Sequence, residues 1–199
     1  MNEALWYLGR GTGVVALLLL TVVVVLGVAS RAGRPAFGLP RFAVALVHRN
    51  AALLAGVLLV VHAVSLLLDP YAQLRLVDLV VPFAGADRPF WLGLGALAFD
   101  LSAAVLVTGL LRDRIGPRAF RAVHWVAYAA WPLAFLHALG QGSDAGTGWL
   151  RTVAAACAAA VVAGVAWRCV PSFDRPAGRR TRRPPRRYAR RHVTAGGGR

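Results

Sequence analysis

Residues 46–64 read LVHRNAALLAGVLLVVHAV, and residues 121–139 read RAVHWVAYAAWPLAFLHAL. At about 1.5 Å of rise per helical residue, each apolar run is long enough to cross a hydrocarbon core of about 30 Å. Each also carries two histidines, His48 and His62 in the first, His124 and His137 in the second. An ionisable side chain at that depth is costly, so these four residues need a physical reason to be there.

Three further segments of the same character flank these two. The five predicted spans are Leu5–Ala29, Phe42–Leu68, Phe90–Leu111, Ala119–Leu139 and Trp149–Trp167. All are rich in Leu, Val and Ala, and none sustains a two-residue alternation, which predicts helices rather than barrel strands. Of the 199 residues 58% are hydrophobic and 16% charged, whereas a soluble domain is about a quarter charged. With only two cysteines, this composition excludes an ordinary soluble enzyme, a disordered chain and a disulfide scaffold. The expected fold class is all-α, an integral membrane bundle of five transmembrane helices. Val14–Ala29 has the look of a secretory signal core, but Glu3 stands where a signal is basic and the apolar stretch begins at Leu5, so a retained helix is expected.

Arginines set the expected orientation. Arg31, Arg34 and Arg41 lie between the first two spans, and Arg112, Arg114, Arg118 and Arg121 lie around the third connection. The loop Asp69–Pro89 balances Arg75 and Arg88 against Asp69, Asp78 and Asp87, while Gly140–Gly148 carries Asp144 alone. The positive-inside rule then puts the first, third and C-terminal connections in the cytoplasm, with the N-terminus outside. Within Asp69–Pro89 the run Leu74–Phe83 is expected to form a short interfacial helix.

Residues 1–170 are read as the membrane domain and residues 171–199 as a disordered cytoplasmic tail, which holds ten of the 23 arginines and one acid. Its doublets, Arg179–Arg180, Arg182–Arg183, Arg186–Arg187 and Arg190–Arg191, suit anionic lipid; docking of an acidic flavoprotein is the alternative. Nucleic acid is not an expected partner for a tail tethered beside a competing anionic surface. No glycine-rich fingerprint lies between a strand and a helix, so no FAD or NAD(P)H site is expected in this chain. Lysine is absent while Arg, Ala, Gly and Val abound, which suggests GC-rich coding and a bacterial inner membrane.

The second and fourth spans run in the same direction in this topology, so their histidines fall at matching depths. His48 and His124 lie near the cytoplasmic end, His62 and His137 near the outer end. Gaps of 14 and 13 residues place the two levels roughly 20 Å apart. Haem iron accepts two axial histidines from opposite sides of its plane, and helices of a bundle can supply them. Two haem b groups are therefore expected, with no covalent attachment because no CxxCH is present. Helical phase supports one pair better than the other. In an ideal helix His62 lies about 40° from His48, but His137 lies about 140° from His124. Pro132, between the latter two, is expected to change the local winding and restore one face.

The arrangement resembles the ferric-reductase-like transmembrane domain shared by ferric reductases, NADPH oxidases and the haem subunit of the bacterial methionine sulfoxide reductase system. The matching pieces are the two quoted stretches and the opening WYLGRGTGVVALLLL, residues 6–20. The resemblance implies the pairs His48/His124 and His62/His137, and a role for Arg10 near the outer haem. The family's oxidases and many of its reductases continue into flavin and nicotinamide domains; this sequence departs from them there, so a separate cytoplasmic flavoprotein or ferredoxin-type reductase is the expected donor.

The remaining candidates carry two readings each. Arg10 either faces outer propionates or marks a helix end. Arg49 either pairs with an inner propionate or contacts headgroups. Asp100 is either a protonated carboxyl bonded to a neighbouring helix or an acceptor for a ligand imidazole. Trp125, Tyr128 and Trp131 include a potential contact between the two haems. Cys157 and Cys169 are expected to be inert, and His192 lies in the tail.

Two function readings follow. In the first, electrons pass from a cytoplasmic donor through two haems to an extracytoplasmic acceptor: a ferric chelate, oxygen or a partner reductase. In the second, the chain is a cofactor-free scaffold or small transporter whose histidines pack or relay protons.

Overall fold

A computed structural model describes residues 3–33, 35–141 and 148–170. Arg34, the centre of the Gly140–Gly148 loop and the tail after Val170 lie outside the described residues, as do the expectations placed on them. In chain order the helices are α1 (Glu3–Ala32), α2 (Arg41–Leu67), α3 (Leu76–Val80), α4 (Pro89–Leu110), α5 (Arg112–His124), α6 (Ala127–Gln141) and α7 (Gly148–Arg168). Helices α1, α2, α4 and α7 are each long and apolar enough to span a bilayer, and the bent pair α5–α6 makes a fifth span. The chain is a multi-pass membrane protein.

Packing follows the rules of lipid rather than of water. The buried set is dominated by small residues, among them Ala16, Ala29, Ala51, Ala55, Ala63, Ala96, Ala98, Ala130 and Ala154. Large side chains such as Leu18, Val22, Leu54, Val57 and Val107 face outward. Because lipid tails are as apolar as Leu, helices in a membrane gain by close van der Waals approach, which small residues permit. Helix α1 is central: it lies along α2 and also meets α6 and α7, while α4 packs on α6.

The connections are tight. Between α1 and α2, Ala36 and Leu39 exchange backbone hydrogen bonds of 3.1 and 2.9 Å, with Phe37 (φ 54°) and Gly38 (φ 72°) both left-handed. Two positive φ values in a two-residue turn match the right-handed twist of its flanks. Helix α3 falls within the expected run Leu74–Phe83. Pro89 starts α4 at a position where its missing N–H costs nothing. Arg88 donates to the Gly140 carbonyl at 2.9 Å and ties the start of α4 to the end of α6.

The fourth span departs from expectation. Ala119–Leu139 was expected as one helix, modulated at Pro132. Instead α5 is non-helical at Gly116 (φ 80°), and the span bends by 48° between His124 and Ala127. At the bend, Val126, Tyr128 and Ala129 donate to carbonyls three residues back, at 2.9, 3.2 and 2.9 Å. The backbone is overwound there. Pro132 lies inside α6, beyond the bend.

Candidate functional site

The bend decides how the histidines meet. It lies between His124 and His137 and resets the helical phase that a continuous helix would impose. The two rings then face the same helix, α2: His124 meets His48 with ring centres 6.3 Å apart, and His137 meets His62 at 6.5 Å. The pairing at two levels makes α2 and the α5–α6 span co-directional. It was legible in the sequence, whereas the device that achieves it was not.

The spacing within each pair is chemically informative. The rings of each pair lie edge-on, with 76° and 80° between their planes, and edge-on rings have centres about 4.5–7 Å apart. Two metal–nitrogen bonds of about 2 Å, with the distance from each nitrogen to its ring centre, require centres roughly 6 Å apart. Both pairs meet that requirement. Among the described residues no group of three or more His, Cys, Asp or Glu could hold a metal ion by itself. Each pair supplies two ligands and no more, which suits a metal whose remaining positions are filled by its own macrocycle.

Hydrogen bonds select the free nitrogen. His48 Nδ1 lies 3.0 Å from the Val23 carbonyl, His62 Nδ1 2.7 Å from the Gly9 carbonyl, and His137 Nδ1 2.9 Å from the Trp91 carbonyl. A carbonyl oxygen can only accept, so each contact places the proton on Nδ1 and leaves the Nε2 lone pair free. Metal-ligating histidines are oriented in this way. His124 Nδ1 is buried with no partner.

A cavity of about 320 Å³ reaches the His62–His137 level from the α3 end of the bundle. Gly13, Ala16, Gly95 and Ala96 line its walls, and Trp6, Arg10, Tyr71 and Arg75 line its outer part. Gly13 and Gly95 adjoin the His62 and His137 rings there. Arg10 is thereby placed on the same cavity as the pair, with its guanidinium 5.6 Å from the Trp6 ring centre. Arg49 is exposed on α2 beside His48.

At the cavity mouth Arg75 and Asp78 close the first turn of α3. The Arg75 side chain donates to both carboxylate oxygens at 3.2 and 2.8 Å, and the Arg75 backbone N–H donates at 3.0 Å. Those side-chain and backbone hydrogen bonds hold the Asp78 carboxyl below its ordinary range. A carboxylate with a depressed folded-state pKa contributes above its unfolded value and ceases to contribute as pH falls through the lowered one. Asp78→Ala is therefore expected to speed amide hydrogen exchange at residues 75–81 at neutral pH, with wild type and variant converging in acid. Equal exchange at neutral pH would show that the turn is held by other contacts.

The aromatic candidates separate cleanly. Trp131 is buried and donates to Thr21 Oγ1 at 2.9 Å, and Thr21 in turn donates to the Leu17 carbonyl at 2.9 Å. It stacks on Phe135 with ring centres 5.1 Å apart. Trp125 and Tyr128 are exposed, and the Arg168 guanidinium lies over both rings, 5.0 and 5.4 Å from their centres. Arg168 also bonds the Tyr128 hydroxyl, which pins the end of α7 to the bend. Among the described residues Asp100 bonds neither an imidazole nor a neighbouring helix. Cys157 is buried and Cys169 exposed, both unpaired.

The family model described as ferric reductase like transmembrane component matches residues 12–135. The chain belongs to the ferric reductase-like transmembrane family. The match contains His48, His62 and His124, begins after Arg10 and ends just before His137. No curated protein and no solved structure matches the chain. Membership in the ferric reductase-like family supports membrane electron transfer as the general activity.

Proposed function

We propose that the chain carries electrons across a bacterial inner membrane, with one haem b held by His48 and His124 and a second by His62 and His137. The observation that carries this reading is the repeated spacing of 6.3 and 6.5 Å between paired imidazole centres, with Nε2 left free on the three residues whose Nδ1 is bonded. His48 with His124 and His62 with His137 are the residues that would hold iron porphyrin, which would supply a one-electron couple at each level.

The chain's own residues do the rest. The carbonyls of Val23, Gly9 and Trp91 orient three imidazoles. Arg10 at the outer cavity and Arg49 beside the inner pair are assigned to propionates. The α3 end faces outward in this reading. There the acceptor, a ferric chelate, oxygen or a partner reductase, meets the outer cavity. A cytoplasmic flavoprotein or ferredoxin-type reductase supplies the inner level, since the described residues form only membrane helices and short connections. The chain is then the haem subunit of a membrane oxidoreductase, with its Arg-rich tail on anionic lipid.

The deciding experiment is a dithionite-reduced minus oxidised spectrum of the purified full chain. A b-type difference band of two haems per chain is expected. A flat spectrum from intact, monodisperse protein overturns the reading and leaves the cofactor-free scaffold or transporter. NAD(P)H oxidation is expected only when a flavoprotein partner is added; turnover by the chain alone would contradict the assigned division of labour.

A further inference from the structure

Each of the three bonded imidazoles meets a glycine. A Cβ built on Gly13 would lie 2.8 Å from His62 Cε1 and 2.9 Å from Nδ1. On Gly95 it would lie 2.5 Å from both His137 Cε1 and Nδ1, and on Gly27 3.3 Å from His48 Cε1. The accepting carbonyl is in every case four residues earlier: Gly9 before Gly13, Val23 before Gly27 and Trp91 before Gly95. That carbonyl already accepts in the helical pattern from the glycine N–H, and its second lone pair remains available. A helical side chain leans over the turn N-terminal to its own Cα, which is where a second donor must approach.

We propose that Gly13, Gly27 and Gly95 are positioning residues: by leaving out a side chain, each opens a helical carbonyl to one histidine and thereby fixes that histidine's proton on Nδ1 and its metal-binding lone pair on Nε2. The consequence for metal binding rests on the haem reading above; the tautomer itself does not. The two notches on α1 match the two histidines on α2 in antiparallel register, since Gly13–Gly27 and His48–His62 share a spacing of 14 residues. His124 lacks such a notch. Among the described residues His124 Nδ1 is the buried ring nitrogen left without a hydrogen-bond partner.

The test compares Gly13→Ala, Gly95→Ala and Gly27→Ala with Gly11→Ala, where an added Cβ meets nothing within 4 Å. Alanine favours the helix more than glycine does, so backbone propensity does not disfavour folding. The first readout is the tautomer in the full-length protein without haem, from the ¹⁵N shifts of labelled histidine in solid-state NMR. Wild type and Gly11→Ala are expected to show Nδ1–H at His48, His62 and His137. Gly13→Ala is expected to lose it at His62 alone and Gly95→Ala at His137 alone, with the undisturbed histidines serving as internal controls of folding. The second readout is haem retention: about 10–100-fold weaker at the outer level in Gly13→Ala and Gly95→Ala, as for loss of other ligand-orienting bonds. Gly27→Ala is expected to give a smaller loss at the inner level. Nδ1–H retained at the targeted histidine, or lost equally in Gly11→Ala, overturns the proposal. Site-specific tautomer loss in a protein that binds no haem would uphold the notches and overturn the electron-transfer reading.

Discussion

On the two-haem reading, replacing His62 with alanine is expected to remove about half of the bound haem, because the outer level would then be held by His137 alone and lose its attachment to α2. The reduced-minus-oxidised amplitude should fall to about half of wild type while the inner pair, His48 and His124, keeps its band. Electron delivery to an outer acceptor should stop, since the remaining level is roughly 20 Å deeper along the helix axis. His48→Ala should give the complementary protein, with the outer band retained and reduction by a cytoplasmic donor lost. The two variants separate the levels spectroscopically. Full amplitude in either would show that the pair is not a ligand pair, whatever the family membership suggests.

The second large effect is expected at Trp131. Its ring fills the space between α6 and α1, its Nε1–H bonds Thr21 at 2.9 Å, and along the sequence it lies between the two histidine levels. Truncating a buried Trp to Ala costs about 3–5 kcal/mol through lost packing and the cavity left behind. Trp131→Phe keeps most of the packing and gives up the interhelical hydrogen bond, worth about 0.6 kcal/mol on average in a membrane protein. Unfolding measured in mild detergent should therefore rank wild type, Trp131→Phe and Trp131→Ala in that order, with a wide gap before the last. Trp131→Ala should also loosen both levels, because α6 is then held against α1 less firmly. A near-equal loss in the two variants would mean that the bond to Thr21, not the ring, holds the helices.

The spans and the histidine levels were legible because a bilayer imposes a length and a polarity that composition must satisfy. Histidines at 48, 62, 124 and 137 stand out against apolar surroundings, and no packing detail is needed to notice them. The bend was not legible in the same way. A spacing of 13 residues announces that one straight helix cannot serve, but Pro132 is the most conspicuous breaker in the span, and the chain bends upstream of it. The reason is tertiary: overwinding at Val126–Ala129 is paired with the clamp of Arg168 on Trp125 and Tyr128, contributed by a helix far along the chain. The glycines were missed because glycine in a membrane helix is common. Their matching 14-residue interval was visible, but it acquires meaning only once α1 lies against α2.

That interval has a geometric consequence for the helix pair. Fourteen residues are two heptads, or four turns at 3.5 residues each, while a straight α-helix has 3.6. Contacts that repeat at this interval stay aligned only if the helices wind about one another with a left-handed supercoil. In the hairpin of α1 and α2, Gly13 meets His62 and Gly27 meets His48, and over this one interval a straight helix would drift by about 40°. A one-residue insertion between Gly13 and Gly27 would turn one notch about 100° away from its imidazole while leaving the other in place.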